Sequence, residues 1–224
     1  MKSLLNNPYV FFYGILIVTF LIIRIPKVGA YFRVLNTLIH EVSHALMALL
    51  TNGEVYKIKL KPDTSGETVT AHSTFISKFL VALAGYPITA LTATGVYWYI
   101  SGGNYRLLFI LFCVVSIISL LLWVRNGFGI VWLLLFIAGN VALLYFQNPL
   151  ANKIVAYSFA AIIFLENIFS SFTLFVIAWK KPQSAGDASN LTKLTKIPSI
   201  IWALIFVAFN LFMAYWTVKW FFPW

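Results

Sequence analysis

Leu38-Ile39-His40-Glu41-Val42-Ser43-His44-Ala45-Leu46-Met47-Ala48-Leu49-Leu50 sets two histidines four residues apart, with a glutamate beside the first, in a run otherwise apolar enough to enter a bilayer. On a helix both imidazoles share one face, one turn apart, where they can grip a single metal ion. Glu41 then lies close enough to polarise a water on that ion without being a ligand itself. With three His and four Glu in the chain, random placement gives His-Glu-x-x-His in roughly one sequence of this composition in a thousand. Charged side chains at mid-bilayer cost about 2.5 kcal/mol or more each, so the cluster needs a compensating partner, and a metal ion is one. A polar cluster that merely ties helices together by hydrogen bonds has no need of this spacing.

Around that stretch the composition is that of an integral membrane protein. Of 224 residues, 61% are hydrophobic and 10% charged, where soluble chains carry about 25% charged residues. The net charge of +10 is spread singly or in pairs between apolar runs, with no basic face for nucleic acid, and reads as a set of topology determinants. Cys113 is alone in an apolar run, so neither a disulfide framework nor a cysteine metal site is expected. No small-residue cleavage site follows the first apolar run, which is therefore expected to stay as a span.

The expected fold is all-α: one polytopic domain over 1–224, a bundle of about seven transmembrane helices with a small β-hairpin after the second. The spans run over about 9–23, 30–50, 77–100, 106–124, 128–146, 154–179 and 197–222. The second is weakly hydrophobic, because Arg33, Asn36, His40, Glu41, Ser43 and His44 interrupt it, and it should be sheltered by other helices. Within 54–72 the period changes to two, Tyr56, Ile58 and Leu60 alternating with Lys57 and Lys59, and Pro62-Asp63-Thr64-Ser65-Gly66 turns the chain back. This hairpin is either a solvated connector or an exposed strand edge that holds an extended peptide. Gly85, Thr89 and Ala93 form a stripe that admits a close neighbour, with Pro87 expected to bend the helix. A polar loop covers 180–196, in which Asp187 opens a short helix. Trp220, Phe221, Phe222 and Trp224 are expected to form an interfacial belt. With seven separate spans, ten Lys and Arg (Lys2, Lys57, Lys59, Lys61, Lys78, Arg125, Lys180, Lys181, Lys193, Lys196) share the amino-terminal side and six the other. That bias places the amino terminus in the cytoplasm, in the cell (inner) membrane.

A catalytic zinc takes three protein groups and leaves a position for water. Beyond the motif, the remaining acids and histidine are Glu54, Asp63, Glu67, His72, Glu166 and Asp187. His44 lies six residues before Leu50, roughly 9 Å from that helix end, and Asp187 starts its helix on the same side. Asp187 is the first choice on placement, Glu166 in the sixth span the second, and the hairpin groups follow. Plain roles also exist: an N-cap for Asp187, and a partner to Arg33 or Arg125 for Glu166. Arg125 and Asn126 are candidates to stabilise an oxyanion, or to anchor topology.

The residues 36–50 resemble the active-site helix of the site-2 protease group of intramembrane zinc metallopeptidases. With Gly53-Glu54-Val55-Tyr56-Lys57-Ile58-Lys59-Leu60-Lys61-Pro62-Asp63-Thr64-Ser65-Gly66-Glu67-Thr68, Leu83-Ala84-Gly85-Tyr86-Pro87, Val124-Arg125-Asn126-Gly127-Phe128-Gly129 and Asp187-Ala188-Ser189-Asn190-Leu191-Thr192-Lys193, the chain is similar to the site-2-protease-like bacterial and plant branch, over about 30–205. The resemblance implies zinc (Zn2+) held by His40 and His44, Glu41 as the base that activates water, and a carboxylate from a later helix as third ligand. Better-known members carry that aspartate in Asn-Pro-Asp-Gly or Leu-Asp-Gly, absent here; Asp187 matches an aspartate of the closer branch. The expected activity is zinc-dependent hydrolysis of peptide bonds within or near membrane spans, including regulated intramembrane proteolysis, with a membrane-protein substrate and the lipid bilayer as partners and no nucleic acid. The rival class is a non-catalytic metal-binding scaffold or small-ion transporter, for which Glu41 has no required role.

Overall fold

The computed structural model describes residues 7–222. Its elements are α1 (Pro8–Arg24), α2 (Val28–Leu50), β1 (Glu54–Leu60), β2 (Gly66–Ala71), α3 (Phe75–Ser101), α4 (Arg106–Leu122), α5 (Gly127–Phe146), α6 (Pro149–Lys180), a 3-10 turn (Pro182–Ser184), α7 (Gly186–Thr195) and α8 (Ser199–Phe221). Every apolar run is helical, because a backbone without water must bond to itself. Local signals set the starts. The Asn7 side chain accepts from the amides of Tyr9 and Val10 ahead of Pro8, and Asn148 accepts from Ala151 behind Pro149. Lys2 and Trp224, counted above, lie outside the described residues.

Four helices, α3, α5, α6 and α8, are each long and apolar enough to cross a membrane. The first two meet that test only as a pair bent by 106°, which makes up to five spans, and α4 is shorter. The bend has a specific cause. A Cβ on Gly29 would lie 2.2 Å from the Ile23 carbonyl oxygen, so only glycine lets α2 begin so close to the end of α1. Phe12 of α1 packs on Tyr97 and Phe222, near the ends of α3 and α8, whereas Thr51 behind α2 bonds Ser77 at the start of α3. The bent pair therefore carries the chain once from one end of the bundle to the other, where two separate spans were expected. Phe222 is buried in that aromatic cluster rather than in an interfacial belt; Trp220 is exposed.

The hairpin pairs antiparallel, with Ile58 opposite Thr68, Lys59 opposite Glu67 and an irregularity between Val55 and Lys57. Its β1 edge is not free. The Ile58 amide donates to the Trp123 carbonyl at 2.8 Å, and the Asn126 side chain bonds both the amide (3.1 Å) and the carbonyl (2.6 Å) of Leu60. Asn126 thus mimics a strand. Arg125 donates to the carbonyls of Leu120, Leu121, Leu122 and Val124 and closes the end of α4. Both of these oxyanion or topology-anchor candidates are thus engaged in structural hydrogen bonds. A second core, of Ala82, Leu174, Ala188, Leu191, Trp202 and Phe206, packs α7 between α3, α6 and α8.

Candidate metal centre

The i, i+4 spacing on α2 brings His40 Nε2 and His44 Nε2 to 3.1 Å of each other. From the first turn of α7, Asp187 Oδ2 lies 3.1 Å from the former and 3.2 Å from the latter. Three donors about 2.0–2.1 Å from one ion in a tetrahedron stand about 3.3 Å apart, so the triangle is near the size a zinc ion needs. The donor chemistry fits as well. His44 Nδ1 is 2.6 Å from the Val81 carbonyl and must carry its proton there, which turns the Nε2 lone pair inward. The His40 ring packs edge-on to Tyr86, itself against Phe206. On α3, Gly85 leaves room for both rings, since a Cβ there would lie 2.4 Å from His40 Cε1 and 2.7 Å from His44 Nε2. His40, His44 and Asp187 make a group that could hold a metal ion.

Glu41 is buried beside this group but outside it. Its carboxylate accepts from the Thr68 hydroxyl at 2.5 Å, and Gly66 presses against it so closely that a Cβ would sit 2.2 Å from Oε1. Neither contact is legible in the sequence, where Thr68 is one polar residue of an alternating strand. All of these groups face a cavity of about 1020 Å³ between α2, α6, α7 and the hairpin.

The other acids and the third histidine are engaged elsewhere. Glu166 lies at the opposite end of the cavity, with Arg24 at 3.0 Å and Arg33 at 3.8 Å. Glu67 pairs with Lys59 at 3.3 Å. Asp63 accepts from the Ser65 hydroxyl and amide, which hold its carboxyl below the ordinary range. His72 bonds Thr70 and Ser77, and burial together with the Lys78 charge lowers its pKa. Glu54 stands by Tyr56.

A multi-pass helical bundle with a His-Glu-x-x-His helix turned into an internal cavity, and a carboxylate closing on both imidazoles, defines the membrane metalloprotease class. The family model of the Peptidase M50B-like proteins matches residues 13–217, and the chain belongs to that family, one of the site-2 protease kind. No curated protein and no solved structure gives a significant match.

Proposed function

We propose that the protein is an intramembrane zinc endopeptidase that cuts membrane-protein substrates in or near their spans, as in regulated proteolysis. The observation that carries this reading is the meeting of His40, His44 and Asp187 with Glu41 beside them in one cavity. Zinc held by His40, His44 and Asp187 would supply Lewis acidity to a peptide carbonyl and would acidify the attacking water. Glu41 takes the proton from that water and passes it to the leaving amine. Thr68 fixes the carboxylate that does so, by donating to it.

The hairpin supplies the place for the substrate. Ile58 and Leu60 direct their amides and carbonyls toward 123–126, so in the antiparallel ladder their partners Thr68 and Gly66 turn theirs away from β1. The alternation gives Thr70 the same direction. The backbone of this outer edge of β2 makes no backbone hydrogen bond beyond the hairpin among the described residues, and it flanks Glu41, which the Thr68 hydroxyl bonds. A substrate helix unwound to an extended strand can add there, which exposes its carbonyls to attack.

Orientation follows from the bent pair. The hairpin end carries Lys57, Lys59, Lys61, Lys78, Arg125, Lys180, Lys181, Lys193 and Lys196; the opposite end of the described residues carries Arg106, Lys153 and Lys219. We place the hairpin end, with the metal centre, in the cytoplasm of the cell membrane. Because α1 and α2 count as one crossing, the start of α1 then lies outside, the reverse of the expectation from seven separate spans.

The test is Glu41→Gln in purified protein presented with a membrane-span peptide. Zinc stoichiometry should be unchanged and cleavage should vanish. Undiminished function of that variant in cells would favour a scaffold or transporter.

A further inference from the structure

The cavity has two ends, and the end away from the imidazoles is positively charged. Arg24, at the close of α1, lies 3.0 Å from Glu166, with its guanidinium stacked 3.9 Å from the Phe169 ring centre. Arg33, on α2, reaches Glu166 only at 3.8 Å, and its Nε is buried without a hydrogen-bond partner. One carboxylate thus serves two guanidinium groups, and the closer pair leaves Arg33 with its charge largely unspent. Glu166 stands near the middle of α6, the depth at which an uncompensated charge is most costly. The other acids on the cavity wall are engaged elsewhere: Glu41 with Thr68, Asp187 with the imidazoles, Asp63 with Ser65 and Glu67 with Lys59.

The geometry points to Arg33 as a recognition site for an acidic side chain of the substrate, a proposal that rests on the endopeptidase reading. Arg33 and His40 share one face of α2, seven residues or about 10 Å apart. An extended chain covers that distance in about three residues. The path between them is continuous. The Thr64 carbonyl at the hairpin tip accepts from Thr37, half-way along the same face, so a strand laid on β2 past Gly66 runs on toward Asn36 and Arg33. Guanidinium and carboxylate match as a planar, charge-assisted pair. The substrates favoured are therefore spans with Asp or Glu about three residues to one side of the cut. That side reports whether the substrate strand runs parallel or antiparallel to β2.

The experiment walks one Glu, with Gln as its control, along an apolar membrane-span peptide in zwitterionic bicelles. Binding is read by fluorescence anisotropy on the Glu41→Gln protein, and cleavage position by mass spectrometry on the wild type. Expected is a single Glu position, about three residues from the cut, that binds roughly tenfold tighter than its Gln control. The preference should disappear in Arg33→Gln and return only in part in Arg33→Lys, which keeps the charge but not the planar fork, and this separates recognition from folding. A flat profile, a preference that survives Arg33→Gln, or one abolished by anionic lipid would overturn the proposal. The binding preference without any cleavage by the wild type would sink the enzyme reading while leaving the Arg33 site standing; cleavage without preference would do the opposite.

Discussion

Asp187 and Glu166 are both carboxylates from late in the chain, both face the same cavity and both approach α2, yet they meet different bases. Asp187 arrives from a short polar helix at the height of His40 and His44. Glu166 arrives from the middle of a long apolar helix at the height of Arg33, two turns earlier on the same face, and beside Arg24. A cation already charged makes a buried carboxylate a counter-ion; two imidazoles whose Nε2 atoms converge on it let it complete a group that could hold a metal ion. The order Arg33, His40, His44 along α2 decides which.

The largest effect that bears on this contrast is at the carboxylates themselves. Asp187→Asn should strip the metal and lower cleavage by more than about 100-fold, beyond what loss of an outer-shell partner costs. Glu166→Gln should leave metal content full while it destabilises the bundle, by about 1–3 kcal/mol once the partial exposure of both arginines is allowed for. Metal analysis and thermal unfolding of the two variants read this directly. Loss of metal from Glu166→Gln would break the contrast.

Two glycines divide the metal end more finely. Gly85→Ala drives a methyl into both imidazoles and should cost roughly 10- to 100-fold in metal affinity. Gly66→Ala drives one into Glu41, so it should keep the metal and lose turnover. Zinc titration paired with kcat separates the two; equal loss of metal in both would show that Glu41 and the metal group are not independent. Thr68→Val, which only unfastens the carboxylate, should lower kcat by roughly tenfold with KM little changed.

The helices were legible because hydropathy and caps act over a few residues at a time, and the hairpin because its alternation and turn are equally local. The bent pair was not. Each half reads as a span by itself, and what joins them is the fit of Gly29 beneath the Ile23 carbonyl, a contact that no periodicity carries. The metal group was half legible: four-residue spacing fixes His40 and His44 on one face, but whether Asp187 or Glu166 reaches them depends on how α7 packs against Leu174, Trp202 and Phe206. Asn126, with Arg125, reads from the sequence as an oxyanion candidate or topology anchor on the side of the site; its use as a strand mimic appears only once β1 lies beside it.

Asp63 extends the contrast to an exposed carboxylate held by hydrogen bonds from Ser65, with the Lys61 charge only a lesser influence, and its effect should be the smallest. Thr64 beside it holds a left-handed φ of 69°, unfavourable for a β-branched residue, at the tip that sets Gly66 against Glu41. The Ser65 hydroxyl and amide donate to ionised Asp63 and hold the tip in that shape. Because they bond the charged form, the folded pKa lies below the ordinary 3.8. The support is therefore complete above the unfolded value, pH 7 included, and fades as pH falls through the folded one. At pH 7, Asp63→Asn should loosen the tip by less than about 1 kcal/mol, given how exposed the group is. A Ser65→Ala variant should return the Asp63 carboxyl titration, followed by NMR, toward the ordinary midpoint. If the wild-type midpoint is already ordinary, the tip is held by Thr37 and the backbone bonds among Lys61, Thr64 and Ser65, and Asp63 is only a solvated charge on the turn.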